Sequence, residues 1–117
     1  MGDLSKNFNR SEFACRCLCG QDTVDAVLLE QLEEVREHFG VPVTITSANR
    51  CLFDNERVGG VFNSLHLEGR AADIIVRDID PDDVANFLED IASGLGRYTT
   101  FTHLDSRSGI PARWSGA

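Results

Sequence analysis

No stretch of the 117 residues is long and apolar enough to span a bilayer as a helix. The opening segment, MGDLSKNFNRSEF, lacks the apolar core of a secretory signal, so work outside the cytoplasm would need delivery by some other agent. Gly2 suggests a myristoylation start, but Lys6 stands where that signal wants Ser or Thr. Basic residues are scarce, with 11 Lys and Arg against 19 Asp and Glu and a net charge of -8. Nucleic acid and anionic membrane surfaces both require a Lys/Arg-rich face, so neither is expected as a partner. Internal repeats and low-complexity segments are absent. So is Cys-x-x-Cys, the stronger zinc spacing. The four cysteines fall instead as Cys15, Cys17 and Cys19 in ACRCLCG and Cys51 in NRCL. Free thiols, one disulfide to Cys51 and a structural metal site all remain open for them.

The composition itself is ordinary for a soluble globular chain, 42% hydrophobic and 26% charged. The length suits a single domain over residues 1–117 with one modest core, expected to act as a monomer. Residues 1–21 read as an irregular lead-in with a short turn near SEF. DTVDAVLLEQLEEVREHFG predicts a helix capped by Asp22 or Thr23 and ended by Gly40. Val24, Val27, Leu28, Leu32, Val35 and Phe39 form its expected apolar face. His38, near its C-terminus, suits the helix dipole. Val43–Thr46 alternates as a strand, residues 51–64 form a loop-rich connection, and AADIIV is a second strand. DPDDVANFLEDIASG predicts a second helix, with Asp80 as cap and Pro81 in its first turn. YTTFTHLDSR reads as a last strand, followed by a tail that turns back. Helices and strands mix without regular βαβ alternation, which favours an α+β fold built on a small antiparallel sheet.

Asp73 is the anomaly in AADIIV. Alternation puts Ala71, Asp73 and Ile75 on one face and Ala72, Ile74 and Val76 on the other. A carboxylate there needs a partner, either an arginine (Arg50, Arg70 or Arg107) or a metal ion. Two histidines bear on that choice. His66 lies in the loop entering the strand. His103 lies in FTHLD, where Phe101, His103 and Asp105 share a face. Two imidazoles and a carboxylate are a ligand set for Zn²⁺ with one position left for water. The same ligand types hold Fe(II) in oxygenases, but a reading built on His103-Leu104-Asp105 needs a further histidine downstream, and none follows.

NSLHLEGRAADI resembles the Ser-x-His-x-x-Gly-x-Ala-x-Asp element of the zinc peptidoglycan peptidases, matched at Ser64, His66, Gly69, Ala71 and Asp73. These are the D-Ala-D-Ala carboxypeptidases and L-alanyl-D-glutamate endopeptidases, which share their fold with the hedgehog signalling domain. TSANRC is similar to the family's Ser-Gly-Tyr-Arg element at Ser47 and Arg50, with Ala48 and Asn49 replacing Gly and Tyr. FTHLDSRSGIPARW is similar to its closing segment, and FNRSEFACRC and VREHFGVPVTITS resemble the phage and prophage branch.

The resemblance implies one Zn²⁺ per chain held by His66, Asp73 and His103, and a peptidoglycan peptide as substrate. It also implies that Arg50 holds a substrate carbonyl or terminal carboxylate. Ser64 would either hydrogen-bond near the metal or cap the loop. Relatives carry a base two or three residues before the last histidine, where this chain has Thr100 and Phe101. Asp105 is then expected either to activate the water or to orient a zinc histidine. Glu68 is a lesser candidate for the base. Trp114 would line the cleft or plug the core. An exported phage lysis enzyme or virion component, working in the periplasm or cell wall, fits this resemblance. The alternative is a metal-binding module of the same fold without catalysis.

Overall fold

The computed structural model describes residues 4–14, 24–48 and 70–116. His66, Arg50, Ser64, Glu68, Gly69 and all four cysteines lie outside the described residues, as do Asp22 and Thr23. In chain order the elements are a short 3-10 helix (Arg10–Phe13), α1 (Ala26–Phe39), β1 (Val43–Ser47), β2 (Ala71–Val76), α2 (Pro81–Leu88), β3 (Gly94–Arg97), β4 (Thr102–Asp105) and β5 (Ala112–Ser115). The five strands form one sheet in the order β1-β2-β4-β3-β5. The fold is α+β, as expected. The sheet, however, is mixed rather than purely antiparallel, because β5 runs parallel to β3.

Local chemistry explains the helix ends. Asp25 caps α1, accepting from the backbone N–H of Val27 at 3.1 Å and of Leu28 at 3.2 Å. Gly40 closes it in the left-handed region with φ 67°. The buried stripe is Leu28, Gln31, Leu32 and Val35, so Val27, 53% exposed, flanks the core instead of facing it. Gln31 occupies the centre of the stripe because its amide donates to the Ile91 carbonyl at 3.3 Å. His38 stacks on Phe87 of α2, with centroids 4.0 Å apart.

Asp80 caps α2, accepting from the Asp82 N–H at 2.9 Å, with Pro81 at the first position. This helix is shorter than its apolar pattern suggests. The N–H groups of Ile91 and Ala92 both bond to the Leu88 carbonyl, and Ser93 N–H already bonds to Asp105 across the sheet. Both helices bury their apolar stripes against one sheet face. Ala72, Ile74 and Val76 of β2, Leu95 of β3 and Leu104 of β4 lie there in one core with Leu28, Leu32, Val35, Val84 and Leu88.

Three strand assignments differ from the sequence reading. Residues 98–101 connect β3 to β4, so the last predicted strand shrinks to Thr102–Asp105. Its partner β3 and the tail strand β5 both form where no strand was read. Arg113 pins β5 down, donating to Glu89 Oε1 at 3.0 Å and to the carbonyls of Ser93 and Glu89 at 2.8 Å each.

Candidate active site

The face of the sheet away from the helices carries the polar residues. β2 and β4 pair antiparallel with Asp73 directly opposite His103 and Ala71 opposite Asp105. On β1 a register shift between Ile45 and Ser47 sets Ser47 opposite Asp73. The Thr46 hydroxyl donates to the Asp73 carbonyl at 3.1 Å. The strand that carries Asp73 is thus fixed on both sides.

The His103 ring bridges two carboxylates. Its Nδ1 lies 2.9 Å from Asp73 Oδ1 and its Nε2 lies 2.9 Å from Asp105 Oδ2. An ionised carboxylate can only accept, so with both carboxylates ionised the ring donates from both nitrogens, as the imidazolium. Burial disfavours the charged ring, yet the hydrogen bonds to Asp105 and Asp73 outweigh it and hold the His103 pKa above its usual value. Asp73 and His103 are each 9% exposed, and Asp105 is fully buried.

Asp105 is held from several directions. Besides His103, it accepts from Arg107 Nε at 2.9 Å, Arg107 Nη2 at 2.8 Å and the Arg107 N–H at 3.2 Å. Burial would raise its pKa, but the bonds from Arg107 and His103 dominate and keep it far below the usual carboxylate range. Such a carboxylate is a weak proton acceptor. Of the two roles expected of Asp105, the geometry fits the orienting one. Arg107, one of the partners considered for Asp73, goes to Asp105 instead. Arg70, another, donates to the Ser106 carbonyl and to Ser108 Oγ. Next to Asp105, the Ser106 hydroxyl donates to Asp25 Oδ2 at 2.8 Å, tying the end of β4 to the cap of α1.

Trp114 of β5 lies beside this cluster, its ring 5.0 Å from that of His103. The Arg107 guanidinium sits 5.2 Å from the indole centroid. Trp114 Nε1 donates to the Tyr98 hydroxyl at 2.8 Å, and Tyr98 stacks on Phe101 at 4.4 Å. Trp114 is therefore on the site face and not a plug in the main core. The sequence reading missed Tyr98 and the Arg107 clamp. Arg107, two residues beyond Asp105, was the available signal for the second.

Among the described residues no group of three or more His, Cys, Asp or Glu side chains is arranged to hold a metal ion. The structure brings together two of the three expected ligands, Asp73 and His103. With Nδ1 free of its proton, their donor chemistry, an imidazole nitrogen next to a carboxylate oxygen with the far nitrogen held by a buried carboxylate, fits zinc. His66 completes the expected set and lies outside the described residues.

The sequence profile of the peptidase M15 family matches residues 6–105, from the N-terminal segment to the end of β4. No curated protein matches the chain.

Proposed function

Because the chain belongs to the peptidase M15 family, we propose that it hydrolyses peptide bonds of bacterial cell-wall peptidoglycan, with His66, Asp73 and His103 holding a zinc ion. The carrying observation is the pairing of Asp73 with His103 on adjacent strands, backed by a buried carboxylate on the far side of the ring. Bound there, zinc would polarise the scissile carbonyl and make its water acidic near neutral pH.

The chain's own residues do the rest. Asp105 takes the Nε2–H of His103, which fixes the ring and turns Nδ1 towards Asp73. Arg107 neutralises Asp105 and keeps it from swinging out. Arg50 would grip a substrate carbonyl or carboxylate with its planar fork, and Ser64 would bond beside the metal. Trp114, its ring 5.0 Å from that of His103, would line the substrate cleft. Since Asp105 is engaged with His103 and Arg107, the water's proton needs another acceptor, and Glu68, two residues after His66, is the carboxylate to test. The proposal extends to a monomer acting in the cell wall as a phage or prophage lysis enzyme.

The engagement of Asp105 also favours a second reading, a metal-binding module without catalysis. Digestion of purified peptidoglycan with mass analysis of the products separates the two. Zinc-loaded wild type is expected to carry one metal per chain and to release peptides, and His66→Ala to release none. Bound zinc with no released peptide means the binding module. No zinc after loading removes both readings. The product masses name the bond and so distinguish carboxypeptidase from endopeptidase.

A further inference from the structure

We propose that Gly94 and Gly96 of β3 are positioning residues of this site: the space left by their missing side chains seats the Asp105 carboxylate and the Trp114 indole, and through those two groups they fix the His103 ring. The metal readout below rests on the zinc reading; the seating itself does not.

β3 lies between β4 and β5, with Gly94 opposite Asp105 and Gly96 opposite both His103 and Trp114. Strands two places apart in a sheet are separated by about 9.5 Å. Yet the His103 and Trp114 rings, on β4 and β5, are 5.0 Å apart. They meet by leaning over Gly96. A Cβ at Gly96 would lie 2.6 Å from Trp114 Nε1 and 2.7 Å from its Cε2. A Cβ at Gly94 would lie 2.1 Å from each Asp105 oxygen.

Neither neighbour can simply step aside. The Asp105 carboxylate is held by His103 and Arg107, and Trp114 Nε1 is bonded to Tyr98. Backbone conformation does not demand glycine here, since the described glycines with positive φ are Gly40 and Gly109. Glycine weakens a strand interior. Two of them at alternate positions of a four-residue strand, both on the site face, are explained by the space they leave.

Gly94→Ala is expected to weaken zinc binding about 10- to 100-fold, the usual effect of disturbing a carboxylate behind a ligand histidine. In an Asp105→Ala background the added methyl has room, so Gly94→Ala should there cost no further affinity. Gly96→Ala is expected to shift the fluorescence of Trp114, the single tryptophan, in the metal-free chain. Unchanged zinc affinity in Gly94→Ala, additive effects in the double variant, or unshifted emission in Gly96→Ala would overturn the proposal. If Gly94→Ala does not fold, thermal unfolding of Gly94→Ala/Asp105→Ala decides: recovery supports the seat and no recovery refutes it. If wild type binds no zinc, the peptidase reading fails, and the fluorescence of Gly96→Ala in the metal-free chain decides this proposal alone.

Discussion

On the helix side of the sheet, β2 and β4 present Ala72, Ile74, Val76 and Leu104, which are apolar and buried under α1 and α2. On the other side the same two strands present Asp73, His103 and Asp105, buried almost as deeply. Burial on the first side is favourable in itself, at about 25 cal/mol per Å² of apolar surface. On the second side each buried charge needs a partner, and the partners form a chain: Asp73 to His103, His103 to Asp105, Asp105 to Arg107. One face holds the fold together by packing that tolerates small adjustments. The other holds a geometry in which every group depends on the next.

Substitutions on the two faces should therefore separate activity from stability. The largest effect is expected from His103→Ala: on the proposed zinc reading it removes a ligand and should lower peptide hydrolysis by about 10³-fold or more, corresponding to several kcal/mol of lost electrophilic assistance. Activity close to wild type would mean that the polar face does no chemistry. Leu104→Ala, one residue along and on the opposite face, should cost about 2–5 kcal/mol in urea denaturation while zinc affinity holds. A matching fall in zinc affinity would show the two faces to be coupled.

The smallest effect concerns pH. The raised pKa of His103 means that its contribution to the metal-free chain is complete below the ordinary value of 6.5 and is lost as pH rises through its folded value. Asp105 is shifted downwards, so its contribution is complete above the ordinary 3.8 and is lost as pH falls through its folded value. The metal-free wild type should be most stable between these limits, and its urea midpoint should decline on the alkaline side. His103→Ala should lack that decline. The same decline in His103→Ala would place its origin elsewhere.

Much of the helix side was legible beforehand because apolar periodicity is a local signal. The AADIIV strand, the cap at Asp80 and the stop at Gly40 appear where the sequence puts them. On the site face, alternation placed Asp73 on one strand face and His103 with Asp105 on another, but it could not show that β2 and β4 are neighbours. That pairing spans thirty residues and depends on the whole sheet. β3 escaped notice because Gly-Leu-Gly-Arg has weak strand propensity. β5 escaped because its parallel partner lies eighteen positions earlier. The clamp on Asp105 comes from Arg107, which lies just past the strand, where alternation no longer assigns a face. Val27 was misplaced because the centre of the buried stripe is a glutamine.

The parallel attachment of β5 sorts the motions of this molecule by cost. Among the described strands, β5 pairs only with β3, whereas β2, β3 and β4 are flanked on both sides. A one-sided strand opens more readily than a flanked one, so amide exchange should reach β5 well before β2 or β4. Each such opening carries Trp114 away from the His103 ring and leaves Asp73, His103 and Asp105 in place on their inner strands. That edge of the polar face can then give way while the paired inner strands keep the register that sets Asp73 against His103.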